Sequence, residues 1–179
     1  YMDLLERAVA ALKRGEIPDV DAPLDQGTEV NLHLPALIPD DYLPDINARL
    51  ILYKRIAAAE DDAELRELQV EMIDRFGLLP PQTNNLFEVS RLRLRAQALG
   101  IHAVEAGPDG GSIEFKETTP VDPIRLVQLV QSDPRSYRLT GPNRLRFEQS
   151  LNDLATRRNF LENLFAHFQE SDADRAANA

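Results

Sequence analysis

The sequence has no cysteine, no tryptophan and only two methionines among its 179 residues. Without cysteine there is no disulfide, no thiolate-held zinc or iron–sulfur cluster, and no thiol nucleophile. Histidine is scarce too. His33, His102 and His167 stand far apart, and none has a second ligand at helical or hairpin spacing, so neither a metal nor a cofactor is expected. No apolar run approaches the roughly 20 residues that a membrane-spanning helix needs, and no basic-then-apolar leader opens the chain. These absences lead us to expect a soluble, cytoplasmic protein with no membrane partner. Catalytic signatures are missing as well: there is no His-Glu-x-x-His, no Gly-x-Ser-x-Gly and no Ser-x-x-Lys. No catalytic residue is assigned, and the chain by itself is not expected to be an enzyme.

What the chain does have is an ordinary globular composition, 43% hydrophobic and 28% charged, with a marked acidic excess. Thirty acidic residues against 20 basic ones leave a formal charge of −10. DNA binding draws on a basic face that releases counterions, so the whole-chain field opposes nucleic acid. A basic protein surface fits better.

Along the chain, Leu5, Val9 and Leu12 recur at helical spacing up to Gly15, which predicts a helix over 1–14. That helix has no cap at its start, as in a segment cut from a longer protein. Pro18, Pro23 and the acidic residues of 16–27 read as a linker, so 1–27 are expected to be a linker helix and an acidic linker. From Thr28, Val30, Leu32 and Leu34 alternate with polar residues, which predicts a strand. Pro35 and Pro39 end it. Three helices follow: 45–59 with a stripe of Ile46, Leu50, Tyr53 and Ala57, 61–76 with Leu65, Leu68, Met72 and Phe76, and 81–99. Asp61 or Asp62 can cap the second helix, and Gly77 stops it. Residues 101–106 and 112–116 flank Gly107-Pro108-Asp109-Gly110-Gly111, which leads into a strand and not into a Lys-Ser/Thr helix start. It therefore reads as a hairpin turn and not a phosphate loop. A helix over 122–132 carries Ile124, Leu126, Val127 and Val130. A second hairpin turns at Gly141-Pro142-Asn143, and a last helix covers 150–169. Residues 171–179 are small and polar and are expected to be a disordered tail. The expected fold is α+β: a small, mainly antiparallel sheet built from hairpins, packed with about five helices, over a domain of 28–170.

The sharpest functional pattern lies on helix 61–76. Glu64, Glu67, Glu71 and Asp74 follow at spacings of three, four and three, so they share the face opposite Leu65, Leu68, Met72 and Phe76. Two readings stay open: a solvated face, or a docking surface for a basic partner, for which arginine is best suited. Arg91, Arg93 and Arg95 point in different directions on their helix and read as solvated surface.

Several segments together resemble a known family. They are Thr28-Glu29-Val30-Asn31-Leu32, then Leu37-Ile38-Pro39-Asp40-Asp41-Tyr42-Leu43-Pro44-Asp45, then Arg49-Leu50 and Tyr53-Lys54-Arg55-Ile56. Ile73-Asp74-Arg75-Phe76-Gly77-Leu78-Leu79-Pro80, Tyr137-Arg138-Leu139 and Gly141-Pro142 continue the series. This collinear set resembles the carboxy-terminal, or TRCF, domain of Mfd, the bacterial transcription-repair coupling factor. The resemblance implies a regulatory protein-binding domain inside an ATP-dependent DNA translocase that displaces stalled RNA polymerase and recruits UvrA for nucleotide excision repair. It implies further that the domain masks the parent's amino-terminal UvrA-binding module until polymerase is engaged. Glu71 and Asp74 would make that contact, with Glu64 and Glu67 as weaker candidates. A DNA- or polymerase-contacting accessory domain of the same machine is the alternative, although direct nucleic-acid binding by this chain is not expected.

Overall fold

Aspartates and prolines placed just ahead of apolar periodicity set the helix starts. Asp45 accepts from the Asn47 amide at 3.0 Å, Asp61 from the Glu64 amide at 2.9 Å, and Asp122 from the Ile124 amide at 3.1 Å. The structure is a computed structural model that describes residues 27–169. The expected helix over 1–14, nearly all of the linker and the expected tail from 171 lie outside the described residues. Among the described residues five helices are formed: α1 (Ile46–Ala58), α2 (Asp62–Phe76), α3 (Pro81–Ala98), α4 (Pro123–Ser132) and α5 (Leu154–Gln169). Five strands accompany them: β1 (Glu29–Asn31), β2 (Ile101–Gly107), β3 (Gly110–Phe115), β4 (Tyr137–Thr140) and β5 (Arg144–Glu148). The fold is α+β, with the strands in the order β1-β2-β3-β5-β4. β1 runs parallel to β2, and all other pairs are antiparallel.

Contacts group the described residues into two units. The first holds Leu34–Leu94, the second Thr28–His33 and the chain from Arg95 onward. In the first unit the core gathers Leu52, Tyr53 and Ile56 of α1, Leu65, Leu68 and Met72 of α2, and Leu86 and Phe87 of α3. The α1 stripe is therefore rotated from the expected Ile46, Leu50, Tyr53 and Ala57. Tyr53 alone of those four is buried, and Ile46 is exposed. Apolar residues occur on more than one side of α1, so its periodicity fits several rotations. The rotation is set by the Tyr53 hydroxyl, which accepts the Ile38 amide at 2.6 Å. The extended segment before α1 is stapled to α3: the Leu37 amide donates to Gln82 O at 3.1 Å, Thr83 Oγ1 to Leu37 O at 3.0 Å, and Asn85 Nδ2 to Pro35 O at 2.9 Å.

The α3 arginines also correct the expectation, because they tie helices together and do not form a solvated surface. Arg91 binds Asp62 and Gln69 of α2, Arg93 donates to the Ala57 carbonyl near the end of α1 at 3.3 Å, and Arg95 pairs with Glu162 of α5 at 3.8 Å.

In the second unit Val104, Ala106, Ile113, Phe115, Leu145 and Phe147 are buried on the sheet, and Leu161, Leu164, Phe165 and Phe168 on α5. Phe115 meets Phe168 edge-on at 5.5 Å, and Phe147 meets Phe160 at 4.9 Å. The first strand ends at Asn31, short of the expected Leu34, because His33 takes a left-handed φ of 54°. α5 begins at Leu154 and not at 150, where Asp153 caps it. Its Arg157 is only 2% exposed and donates to Leu151 O and Leu32 O, both at 2.8 Å. In α4 Ile124 and Val127 are exposed and Arg125 is the buried residue. The pattern of α4 gathers most of its apolar residues on one side, away from Arg125, Gln128 and Gln131, and packing nevertheless buries Arg125 from the polar side.

Replacing Tyr53 with Phe leaves the Ile38 amide buried and unpaired while nearly preserving volume. Urea denaturation is expected to show a loss of about 1–3 kcal/mol. A midpoint equal to wild type would mean that this amide finds another acceptor.

Candidate functional site

α2 presents the acidic stripe because its other face is committed to the core. Leu65, Leu68 and Met72 are buried, and at about 100° per residue this turns Glu67, Val70 and Asp74 outward. The helix ends at Gly77, whose φ of 96° suits glycine, and whose amide donates to Ile73 O at 3.0 Å. The Tyr42 hydroxyl donates to the Gly77 carbonyl at 2.8 Å, and its ring meets Phe76 edge-on at 6.1 Å. These contacts hold the Arg75-Phe76-Gly77 turn in place.

The four acidic side chains divide into two kinds. Glu64 belongs to the cap: its carboxylate accepts from the Glu60 amide at 2.7 Å while its own amide donates to Asp61. Glu71 is held by two guanidiniums of the same unit. Arg55 of α1 grips both of its oxygens, with Nη2 at 3.1 Å from Oε1, and Arg75 lies 3.5 Å from Oε2. Glu67 and Asp74 are exposed and have no hydrogen bond or ion pair among the described residues. Between them lies Val70, 58% exposed, and Ile73 and Leu78 add further exposed apolar surface.

Arg66, Glu67, Val70, Glu71, Asp74 and Arg75 line a shallow surface depression. A second hollow, between α1 and α2, is lined by Arg55, Glu64, Glu67, Leu68 and Glu71 among others. Glu67 and Glu71 border both. Arg66 is drawn off to Asp62 at 3.0 Å, and Arg75 stacks over the Phe76 ring at 4.8 Å. The face thus offers free carboxylates on either side of an apolar centre, next to a carboxylate already neutralised.

The arginines change how Glu71 titrates. The hydrogen bond from Arg55 comes first, then the charges of Arg55 and Arg75, and together they hold its carboxyl below the usual glutamate range. The stripe pattern identified the acidic residues but missed Arg55, Arg75 and Val70. Arg75 stands four residues after Glu71, a readable helical pair. Arg55 comes from another helix, and no local spacing announces it.

No group of three or more His, Cys, Asp or Glu residues that could hold a metal ion occurs among the described residues. No described helix is long and apolar enough to cross a membrane. The family model of the TRCF domain matches residues 32–126, which include all of α2. The chain belongs to the TRCF domain family. Its relatives include the transcription-repair-coupling factor of Escherichia coli K12, 47% identical over 96% of this chain, and that of Haemophilus influenzae Rd, 48% identical over 92%. This TRCF domain spans only 15% of the length of the first and 14% of the second. A crystal structure of the C-terminal domain of a transcription-repair coupling factor matches 81% of this chain and 92% of its own length. Its TM-score is 0.63 at 22% identity, a likeness of fold.

The Glu71 clamp has a testable sign. A carboxyl lowered on folding adds stability above its unfolded pKa, and that stability is lost as pH falls through the lowered folded value. A carbon-detected NMR titration is expected to place the Glu71 midpoint below the usual glutamate range, and Arg55→Gln is expected to raise it. A midpoint indifferent to Arg55→Gln would show that the clamp is not made in solution.

Proposed function

We propose that this TRCF domain is a regulatory docking module of a DNA-repair translocase, and that it latches through the outer face of α2 onto a basic module of the same parent protein. The supporting observation is that Glu67 and Asp74 stand exposed and unpaired on either side of Val70, on a helix whose rotation is fixed by its packing. An arginine-bearing partner meets two free carboxylates there, with an apolar contact between them. Glu71 contributes differently. A partner guanidinium has to compete with Arg55 for it, so its share in binding is an exchange of one ion pair for another.

In this reading the basic module is the parent's amino-terminal UvrA-binding region, and the latch masks it until RNA polymerase is engaged. ATP hydrolysis and DNA translocation belong to other parts of the parent, and this domain contributes no catalytic group. Exposed ion pairs contribute roughly 0–1 kcal/mol each, while desolvated bidentate pairs contribute more. A few such contacts around Val70 close the latch by a few kcal/mol. That is weak enough for polymerase to open it, provided polymerase binds the open state better by a comparable amount.

The test uses the full coupling factor. Asp74→Arg is expected to raise UvrA binding and polymerase-independent ATP turnover, Glu71→Arg with Asp74→Arg more so, and Glu67→Arg less. In trans, Asp74→Arg is expected to weaken binding of this chain to the amino-terminal module by roughly tenfold, about 1.4 kcal/mol, with wild-type binding falling as salt rises. If the doubly reversed protein stays as repressed as wild type, the latch is not on α2.

A further inference from the structure

The outward face of the sheet in the second unit carries charges that the α2 reading does not use. Strand register aligns its residues in rows. One row runs Asn31, Glu105, Ser112, Arg146, Arg138, and the next Glu29, Ala103, Glu114, Arg144, Thr140. Glu29, Asn31, Glu105, Arg138, Arg144 and Arg146 are all exposed, so this face is open. Arg144 is tied to Glu114 at 3.2 Å. Arg138 and Arg146 stand directly opposite each other, and neither has a hydrogen bond or ion pair among the described residues. Like charges directly opposite destabilise a sheet. A charge on an edge strand commonly guards against aggregation, but Arg146 lies on β5, one strand in from the edge, where no guard is needed.

At the edge the Tyr137 amide already donates to Asp133 O at 3.0 Å, and Leu139 is the β4 residue left for a further strand. β4 ends the strand order. The Glu148 amide donates to Ser136 O at 2.8 Å, so Ser136, Arg138 and Thr140 are the residues that exchange main-chain bonds with β5. The N–H and C=O of Leu139, between them, therefore point away from β5 toward the open edge. The Leu139 side chain lies on the face opposite Arg138 and is 41% exposed.

We infer that β4 is the docking edge for an extended acidic peptide segment of a partner protein, added as a sixth strand. Its carboxylates at alternate positions fall in the rows of Arg138 and Thr140, so that one of them faces Arg138 with Arg146 behind it one strand further in, and the apolar residue between them covers Leu139. Main-chain bonds to Leu139 supply affinity, and the alternation supplies specificity. Nucleic acid fits less well. Glu105, Glu114 and Glu148 border the arginines on the same face, so a phosphate backbone running inward from the edge meets carboxylates. The nearby aromatic ring, Tyr137, belongs to the other face, where it stacks on Phe160 at 6.5 Å and is not available to a base.

Three probes test this by fluorescence anisotropy with the intact chain: a short labelled peptide alternating glutamate and valine, a peptide of the same composition in two blocks, and a single-stranded oligothymidylate. The alternating peptide is expected to bind most tightly, and less so as salt rises. Arg138→Gln with Arg146→Gln is expected to weaken it roughly tenfold or more while the thermal midpoint holds or rises, since a repulsion is removed. Leu139→Pro, which deletes the edge-facing amide, is expected to abolish binding with the circular dichroism spectrum retained. Equal binding of both peptides, or an alternating peptide indifferent to the double glutamine change, would overturn the proposal. So would an oligothymidylate that binds more tightly than the peptide through the same arginines, which would make the surface one for nucleic acid.

Discussion

The rotation of α2 is held from two sides by arginines of its neighbours. Arg91 of α3 binds Asp62 and Gln69, and Arg55 of α1 binds Glu71, while Leu65, Leu68 and Met72 fill the core beneath. A helix gripped at its first, middle and third turns cannot roll without breaking an ion pair or exposing a core side chain. That constraint decides which residues α2 shows to solvent, and it makes Glu67, Val70 and Asp74 a defined surface. Tyr42 fixes the far end through the Gly77 carbonyl.

A row of four acidic residues at helical spacing repels itself by a few tenths of a kcal/mol per neighbouring pair. The fold relieves this unevenly. Glu64 is absorbed by the cap and Glu71 by Arg55 and Arg75, so Glu67 and Asp74, two turns apart, are left without a partner among the described residues. Spacing them by an apolar residue lowers the local repulsion and leaves each free to meet a cation. An arrangement of this kind suits reversible contact, because no large apolar area must be exposed when it opens.

The second unit solves a different problem with the same residue type. Arg157 is buried and bonded to the carbonyls of Leu32 and Leu151, and so ties the end of β1 to the start of α5. Arg138 and Arg146 are exposed and have no partner among the described residues, although they face one another across a strand pair. Burial demands that a guanidinium be bonded, whereas exposure lets water stand in. The same side chain is therefore structural in one place and available in the other.

The sequence by itself determined which elements form and most of their ends, the end of β1 and the start of α5 excepted, as well as which strands form hairpins and which helix carries the acidic stripe. Those features follow from caps such as Asp45 and Asp61, stops such as Gly77, and periods of two and 3.6 residues, all of them short-range. The collinear motifs from Thr28 to Pro142 likewise made the family legible. What only the tertiary structure decided was rotation and pairing. α1 carries apolar residues on several sides, so its buried face depended on what it packed against, Tyr53 on the Ile38 amide, while α4 has a single apolar face by sequence and yet buries Arg125 from its polar side in place of Ile124. Arg55 and Glu71 are 16 residues apart, and Arg157 and Leu32 are 125 apart. No local pattern records such distances, because a partner at long range is chosen by the packing of whole elements and not by the neighbours along the chain.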